Sequence, residues 1–183
     1  MRDYSLFNNI RTVTSTLKFD NLGEVSSICR RDFQERETLE FRSTAAGLEY
    51  CCLMVENALL LRTSRQGRIY VGFEKLSTLR PIMDRYMRIA DISQSVFIFG
   101  EADWTVPRHP NIRVIPMKAD YKLAREWFLI TDSPALEIAV IAKHNGASEG
   151  QNFRVIKTSN PKVVRRLANA VEGVIDWSLA VSI

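Results

Sequence analysis

The chain has 183 residues, 46% of them hydrophobic and 25% charged, a balance that excludes disorder and suits one domain of ordinary size, with or without an extension. A formal charge of +4 favours acidic partners without requiring them, and it is not concentrated as in dedicated nucleic-acid binders. No apolar run reaches the roughly 18 residues of a membrane helix, Met1-Arg2-Asp3-Tyr4 opens no signal peptide, and Cys29, Cys51 and Cys52 form no disulfide framework, so the expectation is a reducing cytoplasm.

Leu6, Ile10, Val13 and Leu17 recur at helical spacing and predict one amphipathic helix. Asn21 and Gly23 then punctuate the chain, and the run from Arg30 to Glu37 reads as a charged, exposed stretch where an arm or linker would lie. Ser43-Thr44 is placed to cap a helix that buries Leu48, Cys51, Cys52, Val55 and Leu59 and stops before Gly67. Residues 69–73, short, β-branched and aromatic, predict a buried strand. A second helix, capped by Ser77 and carrying Pro81 near its first turn, turns Leu79, Ile82, Met83, Tyr86, Ile89 and Ala90 inward.

Residues 95–100 and 112–116 give two further apolar runs, so that strand, helix and strand in succession predict a right-handed parallel crossover. The intervening loop holds Trp104, Pro107, His109 and Pro110. Residues 127–131 and 137–142, separated by Asp132-Ser133-Pro134, predict an antiparallel pair, and residues 153–158 one more strand after the Gly146 to Gly150 loop. Asn160-Pro161, a cap followed by the one residue that loses nothing at the first helical position, opens a last helix with Val164, Leu167, Ala168, Val171 and Ile175 inward. The expected fold is mixed α/β (α+β): a single mixed sheet of about five or six strands with helices packed on it.

Motifs that carry chemistry are scarce. The eight glycines include no GxGxxG and no GxxxxGK[ST], which speaks against the usual nucleotide loops. Adjacent cysteines on a helix diverge too far to begin a structural zinc site, so no metal and no cofactor is expected. His109 and His144 have no nucleophile in a recognisable setting, and carboxylates such as Glu101, Asp103 and Glu126 form no specific pair; no catalytic residue is expected. Arg62, Arg65 and Arg68 around Gly67 read either as a solvated loop or as a holder of phosphates or an acidic partner, and Arg165-Arg166 as a solvated helix face.

The informative stretch is residues 123–132, where the polar pair Arg125-Glu126 enters directly into the apolar run Trp127-Phe128-Leu129-Ile130. Alternation along a strand puts one of the pair on the side of Phe128 and Ile130. A carboxylate beside buried surface needs a partner, which is either structural, as an ion pair or strand-end cap, or a ligand.

Four strings in order, 69–73, 96–101, 125–130 and Asn160-Pro161-Lys162-Val163-Val164, resemble the DICT domain, a sensory module found beside diguanylate cyclases and two-component proteins. The similarity runs over about residues 40–175, with 1–40 left as an N-terminal helix and charged linker and 41–183 as the sensory domain. It implies an α/β sensor without catalytic residues, acting in bacterial or archaeal signalling and linked to light responses. It places Glu126 and Trp127 at a ligand pocket, with Arg125, Phe99 and Glu101 as companions. Lys157 departs from it, standing where a Trp is frequent in such domains. No kinase, GGDEF or receiver segment is recognisable, so the expected partner is a signalling protein or a small ligand, with homodimer formation through the first helix open. A nucleic-acid-binding regulator using Arg30, Arg31, Arg62, Arg65 and Arg68, and an enzyme built on carboxylates and Arg125, are the alternatives.

Overall fold

The computed structural model describes residues 2–14, 20–24, 28–62, 66–146 and 152–181. In chain order they form α1 (Leu6–Thr14), β1 (Asp20–Glu24), α2 (Arg30–Glu35), β2 (Thr38–Thr44), α3 (Ala45–Leu60) and β3 (Arg68–Lys75). A 3-10 helix (Leu76–Ile82) leads into α4 (Met83–Asp91), then come β4 (Ser95–Glu101), β5 (Ile112–Pro116) and a 3-10 turn (Lys122–Arg125). The chain closes with β6 (Glu126–Ser133), β7 (Leu136–His144), β8 (Asn152–Thr158) and α5 (Pro161–Val181).

All eight strands join one mixed sheet in the order β1-β2-β8-β7-β6-β3-β4-β5. The mixed α/β class and the six strands read from the sequence are present, but the sheet is larger by β1 and β2. In β2 the inward Leu39 and Phe41 alternate with Glu40 and Arg42, and Glu40 is buried because Arg154 on β8 pairs with it. β1, Asp-Asn-Leu-Gly-Glu, carries almost no apolar signal and joins by backbone pairing to β2. The sheet therefore takes strands from both sides of residue 40. The charged run from Arg30 is likewise a short helix, α2, which anchors itself through Phe33, 2% exposed.

Helices cover both faces. On one face α2, α3, the first 3-10 helix and α4 bury Leu48, Cys51, Val55, Leu79, Tyr86 and Ile89 against Val71, Leu129 and Val140. On the other, α1 and α5 bury Leu6, Ile10, Val164, Leu167 and Val171 against Tyr70, Phe128 and Ile156. Thr44 caps α3 as read, its Oγ1 accepting from the Gly47 amide at 3.2 Å, and Asn160 Oδ1 accepts from Lys162 and Val163 at 3.1 and 3.2 Å to open α5. The helix expected after Ser77 differs: Pro81 lies inside the 3-10 helix, α4 starts only at Met83, and Ser77 instead donates to Asp103 at 2.5 Å. Gly72 is fixed by packing, since a Cβ there would stand 2.1 Å from the Phe128 ring.

β3 and β4 are parallel neighbours joined through the 3-10 helix and α4, the crossover read from sequence. β6 and β8 run opposite to the other six strands. The carboxyl ends of β2 and β3, the amino ends of α3 and the 3-10 helix, and the start of β6 thus meet at one edge of the molecule.

Candidate functional site

At that edge α3 and the 3-10 helix splay apart over the sheet and leave a cleft of about 430 Å³. Its floor is Phe73 from β3 and Trp127 from β6, held edge-on with ring centroids 5.5 Å apart; Phe153 supports Trp127 from the far side at 6.3 Å. Ala46, Tyr50, Cys52 and Leu53 form the α3 wall; Thr78, Pro81 and Ile82 form the opposite one. A predominantly apolar hollow at the carboxyl ends of parallel strands is where open α/β sheets commonly take ligands.

Charge enters the cleft through a pair, Glu56 and Arg85, and through the exposed Glu49 on the α3 wall. Glu56, 2% exposed on the inward stripe of α3, accepts from Arg85 Nη1 at 2.6 Å and from the Tyr86 hydroxyl at 2.8 Å. Burial and then the Glu56 carboxylate push the Tyr86 phenol well up, so it remains a donor. Arg85 is partly exposed and its one hydrogen bond among the described residues is to Glu56, which leaves guanidinium hydrogens for a ligand at the rim. Burial pushes the Cys52 thiol far up, helped by Glu56, while the Trp127 indole hydrogen bond opposes the shift; burial alone raises Cys51 to about 12. Neither is a thiolate nucleophile at neutral pH.

The sheet divides the five residues singled out from sequence. Trp127 lines the cleft, but Glu126 points to the opposite face, the side of Phe128 and Ile130, 3% exposed. There it accepts from the Ser5 hydroxyl and from the Leu6 and Phe7 amides at 2.8 and 3.2 Å, gathering the amino end of α1. Burial raises its pKa against the pull of those donors. Phe99 lies on the Glu126 side, tilted against Phe128 with centroids 5.5 Å apart. Glu101 is half-buried at the end of β4, and Arg125 is exposed in the 3-10 turn. Sequence reasoning did not single out Glu56, Phe73 or Arg85 as site residues; the available signal was a glutamate four residues after Cys52 on an otherwise apolar helix stripe.

The remaining candidates are dispersed. Arg68 is held by Asp132 at 2.7 Å and Glu172 at 2.5 Å, Arg62 is exposed, and Arg65 lies outside the described residues. Arg31 pairs with Glu35, and Arg165 with Glu137. His109 pairs with Asp91 at 3.1 Å, and His144 stacks edge-on against Phe153. Among the described residues no group of three or more His, Cys, Asp or Glu could hold a metal, and no helix is long and apolar enough to cross a membrane.

The described residues thus form an eight-stranded α/β domain with an aromatic-floored cleft between α3 and the 3-10 helix. The family model for DICT, the sensory domain in diguanylate cyclases and two-component systems, matches residues 34–145. The chain belongs to the DICT family, and its role is that of a sensory domain in signalling; three of the four strings fall within the match, while the fourth, from Asn160, and the expected extent to residue 175 lie beyond it. Among solved structures it is similar to a polyphosphate kinase from Porphyromonas gingivalis, with a TM-score of 0.52 and 12% identity over 75% of this chain and 23% of that one. That likeness concerns the fold alone, and the chain spans less than a quarter of the kinase's length. No curated protein matches.

Proposed function

We propose that this DICT domain is a sensory or adaptor module of bacterial or archaeal cytoplasmic signalling that binds a small planar, largely apolar ligand in the cleft between α3 and the 3-10 helix. The observation that carries the reading is the floor of Phe73 and Trp127 beneath a 430 Å³ predominantly apolar hollow whose rim carries the cationic Arg85, with the exposed Glu49 on the α3 wall. An aromatic ring slotted against Trp127 gains face and edge contacts, and an acidic or carbonyl substituent meets the unused guanidinium hydrogens.

Output runs through β6. Trp127 and Glu126 are successive residues, one in the cleft and one holding α1, so a ligand that shifts the start of β6 alters the grip on the amino-terminal helix and what that helix offers a signalling partner. Mass spectrometry of the natively purified protein beside its absorption spectrum tests the reading, repeated on Trp127→Ala. A co-purified molecule lost in the variant supports it, and the same spectrum reports whether that molecule is the pigment a light response requires. A ligand retained by Trp127→Ala, or an apo protein that takes up no aromatic compound in a thermal-shift screen, overturns it.

A further inference from the structure

One position on the sheet face beneath α2 and α3 departs from the apolar pattern around it. Lys157 on β8 lies between Leu39 of β2 and Val140 of β7, both fully buried, on the same side of the strand as Val155. It is itself 0% exposed. Its Nζ donates to the Arg36 carbonyl at 2.5 Å and to Ser159 Oγ at 3.3 Å, and lies 5.4 Å from the Phe33 ring. An ammonium group has three hydrogens, and the third finds no acceptor among the described residues.

Carboxylates stand nearby, but each is engaged. Glu37 accepts from Asn160 Nδ2 at 3.0 Å, and Glu137 is held by Arg165 at 2.7 Å. Lys157 makes no salt bridge among the described residues, an arrangement costly for a desolvated cation, and burial lowers its pKa to about 8 against the opposing pull of the nearby Glu37 charge. Beside it opens a cavity of about 250 Å³, walled by Phe33, Met54, Val55, Ala58, Leu136 and Ile138, with the exposed Arg62 and the Arg165-paired Glu137 also on its lining. It is separate from the aromatic cleft, since the two use different faces of α3 and share no lining residue.

A neutral apolar molecule would fill this cavity and leave the charge uncompensated, and a cationic one would add a second charge. A carboxylate on an apolar tail supplies both the counter-charge and the contacts. We propose that the cavity is a second ligand site that takes a small carboxylate with an apolar tail, its head group on Lys157 Nζ and its tail along Met54, Val55 and Ile138. The alternative is that Lys157 serves only to tie the end of α2 through the Arg36 carbonyl.

Calorimetric titration of the full chain with straight-chain carboxylates from butanoate to octanoate, and with octanol and octylamine as neutral and cationic controls, decides between them. We expect saturable carboxylate binding, affinity for octylamine weaker by at least about tenfold, and a loss of at least about tenfold for octanoate in Lys157→Met, whose side chain suits the apolar row. A second readout needs no variant: at pH near 8, where the free amine is partly deprotonated, binding in the wild type should take up protons, seen as a dependence on the buffer's ionisation heat. Absence of carboxylate binding, equal affinity for octanol or unchanged affinity in Lys157→Met overturns the site.

Discussion

Removing the Glu126 carboxylate isolates what the amino-terminal helix owes to one side chain. In Glu126→Ala the Ser5 hydroxyl and the Leu6 and Phe7 amides lose their common acceptor at a place 3% exposed. A buried donor left unmade costs about 1–3 kcal/mol, but water reaches these groups once α1 lifts, and the desolvation cost of the carboxylate disappears with it. The net loss is about 3 kcal/mol, confined to the docking of α1 and so equal to an opening equilibrium larger on the order of 100-fold. Glu126→Gln keeps an accepting oxygen while turning an NH2 toward the donors, and should fall about halfway between. Hydrogen exchange followed by mass spectrometry over residues 2–14 reads the effect directly, with peptides from α3 and α4 as the internal reference. Exchange over α1 as slow in Glu126→Ala as in the wild type would refute the reasoning, and equal acceleration in α3 would show that the carboxylate holds the whole fold.

Three further outcomes follow from particular contacts. Gly72→Ala pushes a methyl into the Phe128 ring and should cost about 1–3 kcal/mol in urea denaturation, with Phe128→Leu recovering part of it; full stability in the single variant would mean that the two strands part without strain. Lys157 has a folded pKa of about 8 against an ordinary 10.5, so between these values the unfolded chain holds more protons and stability rises with pH, by about 3 kcal/mol in all; denaturation midpoints across that window should climb in the wild type more steeply than in Lys157→Met. A thiol reagent should label the exposed Cys29 rapidly and the buried Cys51 and Cys52 only after denaturation, as counted by intact mass, and fast labelling of all three would contradict the packing of α3.

Elements whose signal is local were legible before the structure. Asn160-Pro161 states the start of α5 by cap chemistry, and runs such as residues 95–100 or 137–142 are apolar enough to be central strands. β1 and β2 were missed because their membership comes from partners: Glu40 is acceptable inside only because Arg154 stands opposite, and Asp20–Glu24 is a strand because Leu39 and Glu40 pair with it. At the site, alternation put either Arg125 or Glu126 on the face of Phe128 and left open which; the structure puts Glu126 there, and its partner arrives from residues 5–7, about which periodicity is silent. The cleft has no local signature because its lining comes from α3, the 3-10 helix, β3 and β6.

The pairing of β2 with β8 sets an order on the making of the protein. Thr38 meets Thr158, and Thr44 meets Asn152, so one of the first strands to leave the ribosome bonds on its inner side to the last. Until residue 158 emerges, β2 presents Leu39 and Phe41 on an open edge beside a helix, α3, whose apolar stripe has no sheet to cover. The segment 68–144 can meanwhile pair β3 through β7 from nearer contacts. The early hairpin-free strand is thus the point at which a nascent chain is most exposed to mispairing with a neighbour, and the buried Glu40 and the charged Arg42 within it act as a brake on that fate.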